Sequence, residues 1–273
     1  MNQETNPNQS VTNQNPITDQ PTQALVRRVP YSYSDHYTRE GLNVSEELVE
    51  QQHAEYVLAL ETAGLKVSFV DADEDLPDCV FIEDTAVVLK QHAVITYAHE
   101  KRQQEHAAVE VILRKTHSVC RLDGEARLEG GDVMHIGDTT YIGLSGRTNE
   151  HGADALKAFL SQFGRRVVKV PVDNCLHLKT GMTYLGNGTL ISISGWFDLH
   201  LFNVDDIIHT ESGEHGCANC LRIRDKLLIP EGYPKTEVLL RRFGEKYNVQ
   251  VQALDISEFE KGGGSLTCLS LIW

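Results

Sequence analysis

One unit recurs along this chain: a helix, a strand, then two strands joined by a tight turn, about every 40–50 residues. The first round reads as helix "SEELVEQQHAEYVLALETAG", strand "KVSFVD" and hairpin "CVFIEDTAVVLKQHAVITY". Asn43 and Glu46 offer a capping box for that helix and Gly64 a stop. The second has helix "EKRQQEHAAVEVILRK", strand "HSVCRL" and a hairpin turning at Gly137-Asp138, and the third turns at Gly-Asn-Gly. A fourth, less regular round holds "VDDIIHT" and a pair turning at Arg224-Asp225. The fifth ends in "KGGGSLTCLSLIW" and lacks its last strand.

The strand "ALVRRVP", stopped by Pro30, is otherwise an orphan and supplies the missing piece. A closed ring of small sheets leaves few exposed edges. The pattern therefore predicts one α/β domain over residues 23–273, a five-bladed propeller with pseudo-fivefold symmetry. An ordinary doubly wound sheet is the alternative. Residues 1–22, rich in Asn, Gln, Thr and Pro, read as a disordered tail outside the fold.

Equivalent positions of a ring converge on its axis, and the reactive side chains share one such position, the start of the first hairpin strand. Glu83 and Asp84 stand there, then Glu129 and Asp132, His177, Cys220, and Cys268. A thiolate is a strong nucleophile near neutral pH, and a histidine can pass a proton to a leaving group and then take one from water. Clustered carboxylates oppose acyl or phosphoryl transfer, where negative charge develops, and suit a planar guanidinium. Together these groups point to attack on a guanidinium carbon.

The formal net charge of −14 argues against nucleic acid as a partner and agrees with a small cationic ligand. No apolar run is long enough to span a bilayer and no export signal is evident, which sets a cytoplasmic expectation. In that setting the six cysteines read as reduced thiols. "HGCANC" resembles half a zinc or redox site, but no second ligand pair stands at suitable spacing, so neither a structural zinc nor thioredoxin-like chemistry is expected. The sequence leaves monomer and homodimer open.

"LPDCVFIEDTAVV", "LEGGDVMHIGDTTYIGLSGRTNEHG", "LHLKT", "ANCLRI" and "LTCLSL" resemble, in order and spacing, the motifs of the dimethylarginine dimethylaminohydrolase family over about residues 24–273. The resemblance implies a pentein fold and cofactor-free hydrolysis of Nω-methylated arginines to citrulline and methylamine or dimethylamine. It implies Cys268 as nucleophile, His177 as proton donor and later base, and Glu129 as the group orienting the guanidinium and His177. Asp84, with Glu83 beside it, would bind the guanidinium and Asp78 would lie near the amino-acid end. Arg147 would hold the ligand carboxylate, with Arg102 as the second arginine.

Three departures concern specificity. Thr38 stands where relatives often have Leu, and Gly263 where an acidic residue is frequent. Related arginine deiminases and amidinotransferases typically carry His-x-Asp, whose aspartate grips an unmodified guanidinium, whereas this chain has His177-Leu178-Lys179. A deiminase or another guanidine-modifying hydrolase is the first alternative, and a non-catalytic arginine-binding protein the second.

Overall fold

The computed structural model describes residues 20–273. The expected tail therefore lies, for residues 1–19, outside the described residues. The chain is tied in from Pro21 onward: Arg224 Nε donates to the Pro21 carbonyl (3.1 Å) and Thr22 N to the Trp273 carbonyl (2.8 Å).

Along the chain the strands are β1 (Gln23–Arg27), β2 (Lys66–Val70), β3 (Ala86–Leu89), β4 (His92–Ile95) and β5 (Ser118–Arg121). Then come β6 (Val133–Ile136), β7 (Thr139–Leu144), β8 (Arg166–Pro171), β9 (Met182–Gly186) and β10 (Thr189–Ser192). The last are β11 (Asp206–His209), β12 (Leu221–Ile223), β13 (Lys226–Pro230), β14 (Gln250–Leu254) and β15 (Ser270–Ile272). They form five three-stranded sheets. Each is an antiparallel pair whose second strand also pairs in parallel with the strand that follows, as in β3-β4-β5 and β6-β7-β8.

The expected closure is present. β1 lies antiparallel to β15 in the register Ala24↔Ile272 and parallel to β2 in the register Gln23↔Lys66. The first and last strands thus share one blade, with β1 at its centre between β15 and β2. The hairpin turns reverse the chain through left-handed residues, Lys90, Gly137, Asn187 with Gly188, and Arg224.

Helices pack over the outer strands and bury the apolar cores between blades. They are α2 (Glu46–Thr62), α3 (His106–Leu113), α4 (Glu150–Ser161) and α6 (Pro234–Tyr247); the other helices are α1 (Ser32–Arg39), α5 (Leu178–Gly181) and α7 (Ser257–Lys261). The cap of α2 is Ser45, in extended backbone, its side chain accepting from Leu48 N, so the box expected from Asn43 and Glu46 is displaced onto Ser45. The helix expected from Glu100 begins instead as a tight three-residue-per-turn segment, Glu100–Glu105, before α3. Such a segment eclipses residues three apart and sets Arg102 and Glu105 side by side. In the fourth round only the turn Leu199–Leu201 links β10 to β11.

The first strands of all five hairpins line one axial cavity of about 290 Å³, through Val87, Met134, Thr183, Leu221 and Leu271 among others. Glu83, Lys179 and Thr267 stand on the same cavity. No helix among the described residues is long and apolar enough to cross a membrane.

Candidate active site

Each first hairpin strand is preceded by a single tight turn, and these five turns carry the chemistry. They are Ile82–Thr85, Gly130–Asp132, Leu178–Gly181, His215–Ala218 and Leu266–Leu269. The 82–85 turn packs on the 130–132 and 266–269 turns, and the 178–181 turn on the 130–132 and 215–218 turns. The expected convergence is thus realised in turns before the strands, not in the strands themselves.

Glu129, His177 and Asp84 form the centre. His177 Nε2 lies 2.7 Å from Glu129 Oε2 and 3.9 Å from Asp84 Oδ1, and Glu129 is fully buried. Glu129 Oε1 also accepts from His99 N (2.9 Å) and Arg147 Nη1 (3.3 Å). Gly131 N donates to Asp84 Oδ1 at 2.9 Å. A Cβ on Gly131 would stand 2.6 Å from His177 Nδ1, so only glycine lets the turn approach the imidazole this closely.

The charges reinforce one another. Burial disfavours the His177 imidazolium, but the Asp84 charge and the Glu129 hydrogen bond overcome it and raise its pKa to about 9. Burial pushes Asp84 up, while the charges of His177 and Arg102 pull it down to about 2. Burial likewise raises Glu129, and the His177 hydrogen bond returns it below the usual carboxylate range. At neutral pH the site therefore holds an imidazolium between two carboxylates, ready to give up a proton.

Cys268 sits in the last turn, partly exposed, its N–H bonded to the Ser265 carbonyl at 3.0 Å. Burial, then the charges of Glu83 and Asp84, push its thiol up to about 12, opposed by the Ser265 contact and the Lys179 ammonium. A cation entering beside these carboxylates would offset the two charges that oppose the thiolate.

Glu83 is not free to face a ligand. Lys179 Nζ donates to Glu83 Oε1 (2.5 Å) and Thr267 Oγ1 to Glu83 Oε2 (2.8 Å). Asn219 ties this network to the turn that carries Cys268. Its Nδ2 donates to Thr267 Oγ1 (3.0 Å) and to the Lys179 carbonyl (3.0 Å), and its Oδ1 accepts from Thr267 N (3.1 Å). The supporting roles of Lys179, Asn219 and Thr267 escaped the sequence reading, although each adjoins or lies near a residue that it singled out. Cys220, grouped there with the reactive side chains, is fully buried in an apolar cluster and lines the axial cavity, while its neighbour Asn219 serves the site. Asp132 is a strut: it accepts from Ser145 Oγ (2.6 Å), Thr148 Oγ1 (2.7 Å) and Leu178 N (2.9 Å), which pins the start of the histidine turn.

Asp78, expected near the amino-acid end of a ligand, accepts at Oδ1 from Tyr37 Oη of α1 at 2.7 Å. Arg147 is 29 % exposed and its guanidinium makes one contact among the described residues, to Glu129. Arg102 lies on Asp84 (2.6 Å) and Glu105 (2.7 Å) and is only 12 % exposed. One oxygen each from Asp84 and Glu129 and one nitrogen of His177 lie within 4.8 Å of one another, a donor set able to hold a divalent cation. A protonated His177 has no lone pair free to ligate a metal and opposes that use.

The family model for arginine deiminase matches residues 2–227. The N(G),N(G)-dimethylarginine dimethylaminohydrolase of Streptomyces coelicolor is 39% identical over 255 residues, 91% of this chain and 95% of that one. The enzyme of the same name from Pseudomonas aeruginosa is 33% identical over 224 residues, 81% of this chain and 87% of that one. A crystal structure of the Pseudomonas aeruginosa protein, as a Cys→Ser variant complexed with citrulline, superposes with a TM-score of 0.86 at 29% identity, covering 93% of this chain and all (100%) of that one. The N-terminal domain of ArgZ, an arginine dihydrolase from cyanobacteria, shares the fold with a TM-score of 0.81 at 20% identity, covering 93% of this chain and 97% of that one. With its five-bladed ring and its converging turns, the chain belongs to the arginine deiminase family, on the branch of the dimethylarginine dimethylaminohydrolases.

Proposed function

We propose that this chain hydrolyses Nω-methylated arginines to citrulline and methylamine or dimethylamine. The observation that carries the reading is the packing of the Cys268 turn on the turn of Asp84, whose charge acts on the thiol and which itself adjoins the His177–Glu129 pair. Asp84 and Glu129 dock the cationic guanidinium, whose charge offsets theirs and lowers the cost of forming the Cys268 thiolate, the thiol proton leaving to solvent. The thiolate sulfur bonds to the guanidinium carbon and gives a tetrahedral adduct. The C–N bond to the alkylated nitrogen then breaks as His177 protonates it, which releases the amine and leaves a cationic thiouronium. Neutral His177 takes a proton from water, the hydroxide adds to the same carbon, and as the C–S bond breaks the adduct's hydroxyl proton passes to the departing sulfur, giving citrulline and the Cys268 thiol.

Preference for the methylated nitrogen is supported by Lys179. A carboxylate at this position would demand N–H donors, and methylation deletes them; here Lys179 is turned onto Glu83 at 2.5 Å instead. We infer a reducing, cytoplasmic setting, supported by six free thiols. The test is citrulline formation from asymmetric dimethylarginine, monomethylarginine and arginine in parallel. Turnover of the methylated substrates alone is expected. Citrulline and ammonia from arginine alone would make the chain a deiminase.

A further inference from the structure

The family resemblance gives Arg102 to the ligand's α-carboxylate, but its guanidinium is turned the other way. Nε donates to both oxygens of Glu105 (3.0 and 3.1 Å), and Nη2 to Glu105 Oε2 (2.7 Å) and the Phe81 carbonyl (2.7 Å). Nη2 also lies 3.5 Å from the Asp78 carbonyl, and Nη1 donates to Asp84 Oδ2 at 2.6 Å. The partner carboxylates are 2% and 5% exposed, at Glu105 and Asp84 respectively. To reach a ligand carboxylate, Arg102 would have to leave two buried anions unpaired, which is strongly unfavourable. Arg147 is more exposed and makes one contact, to Glu129 at 3.3 Å, and Glu129 keeps His177 and the His99 N–H as partners without it.

We propose that Arg102 is a positioning residue for Asp84: with Glu105 it forms a buried frame that fixes Asp84 Oδ2 and aims Oδ1 at the ligand guanidinium, leaving the α-carboxylate to Arg147. The frame follows from the tight turn Glu100–Glu105, which eclipses the two side chains three residues apart. The Arg102 charge also helps hold Asp84 anionic, after the larger effects of burial against it and His177 for it. The inference rests on the proposed guanidine-binding role of Asp84, not on which guanidine is turned over.

The test compares affinities for arginine and agmatine, its decarboxylated analogue, by calorimetry in the full-length Cys268→Ser background. The ratio of the two dissociation constants reads α-carboxylate recognition, whether or not the methylated substrate proves to be the right one. Arg102→Gln is expected to weaken both ligands equally, by roughly ten- to a hundredfold, the size of a lost charge-assisted hydrogen bond. The ratio should then stay unchanged, with Arg102→Lys recovering part of the loss for both. Arg147→Gln should collapse the ratio. If Arg102→Gln fails to fold, Arg102→Lys and Glu105→Gln are read on the same ratio. A ratio that collapses in Arg102 variants overturns the proposal, and so do folded Arg102 variants that bind both ligands as the parent does.

Discussion

Glu129 Oε2 and His177 Nε2 stand 2.7 Å apart, joining the turn before β6 to the turn before β9 across 48 positions of sequence. The pair keeps the imidazole charged where, in the proposed reaction, the leaving amine needs a proton, with Asp84 as the second anion 3.9 Å away.

That pair sets the alkaline limit of activity. His177 is held at about 9, so kcat/KM should fall as pH rises through that value. Glu129→Gln is expected to move the limb down by about one unit or more. The same raised pKa stabilises the fold: its contribution is complete below the unfolded value near 6.5 and vanishes as pH rises through about 9. Urea unfolding should therefore show a larger loss in Glu129→Gln at pH 6 than at pH 10.

Cys268 should be a neutral thiol in the free enzyme. With its pKa pushed up to about 12, alkylation by iodoacetamide is expected to accelerate about tenfold per pH unit through pH 9.5 without a plateau. A plateau near pH 7, measured in the absence of any guanidine, would mean a preformed thiolate and would contradict the role given to the substrate's charge.

Gly131→Ala should damage catalysis more than stability. The added methyl would press on His177 Nδ1 at 2.6 Å and Asp84 Oδ1 at 3.1 Å, forcing a shift of the proton donor. A loss of about a hundredfold in kcat, with the melting temperature changed by only a few degrees, is the expected outcome of such a displacement.

Lys179→Met leaves Glu83, a side chain only 10% exposed, without its counter-ion. Breaking one side of a buried pair costs roughly 3 kcal/mol, read as a lower urea midpoint. The uncompensated Glu83 charge should also slow Cys268 alkylation further. Adding Glu83→Gln should recover most of both effects.

Much of this was legible in the sequence because the repeat carries topology. The missing strand of the fifth round and the orphan strand of the first are one blade, Ala24 opposite Ile272. The same logic gathered Asp84, Glu129, His177 and Cys268, since equivalent positions in a ring share an axis. What periodicity does not carry is the direction of a side chain within a short turn. Asp132 and Glu129 are both buried acids flanking Gly130-Gly131, yet Ser145 and Thr148, 13 and 16 residues after Asp132, make it a strut. Asn219, the extended residue that caps the 215–218 turn, reaches the Cys268 turn, whereas Cys220 packs into an apolar cluster. Arg102 meets Glu105 because the segment is wound more tightly than the α-helix its composition suggests.

The most direct test of the central claim is rapid quenching of the enzyme with asymmetric dimethylarginine, followed by intact-mass and peptide analysis. The account predicts a transient adduct on Cys268 with the mass of the substrate less dimethylamine, formed and lost at rates that match citrulline release. Full citrulline production by Cys268→Ser, or an adduct on another residue, would contradict it.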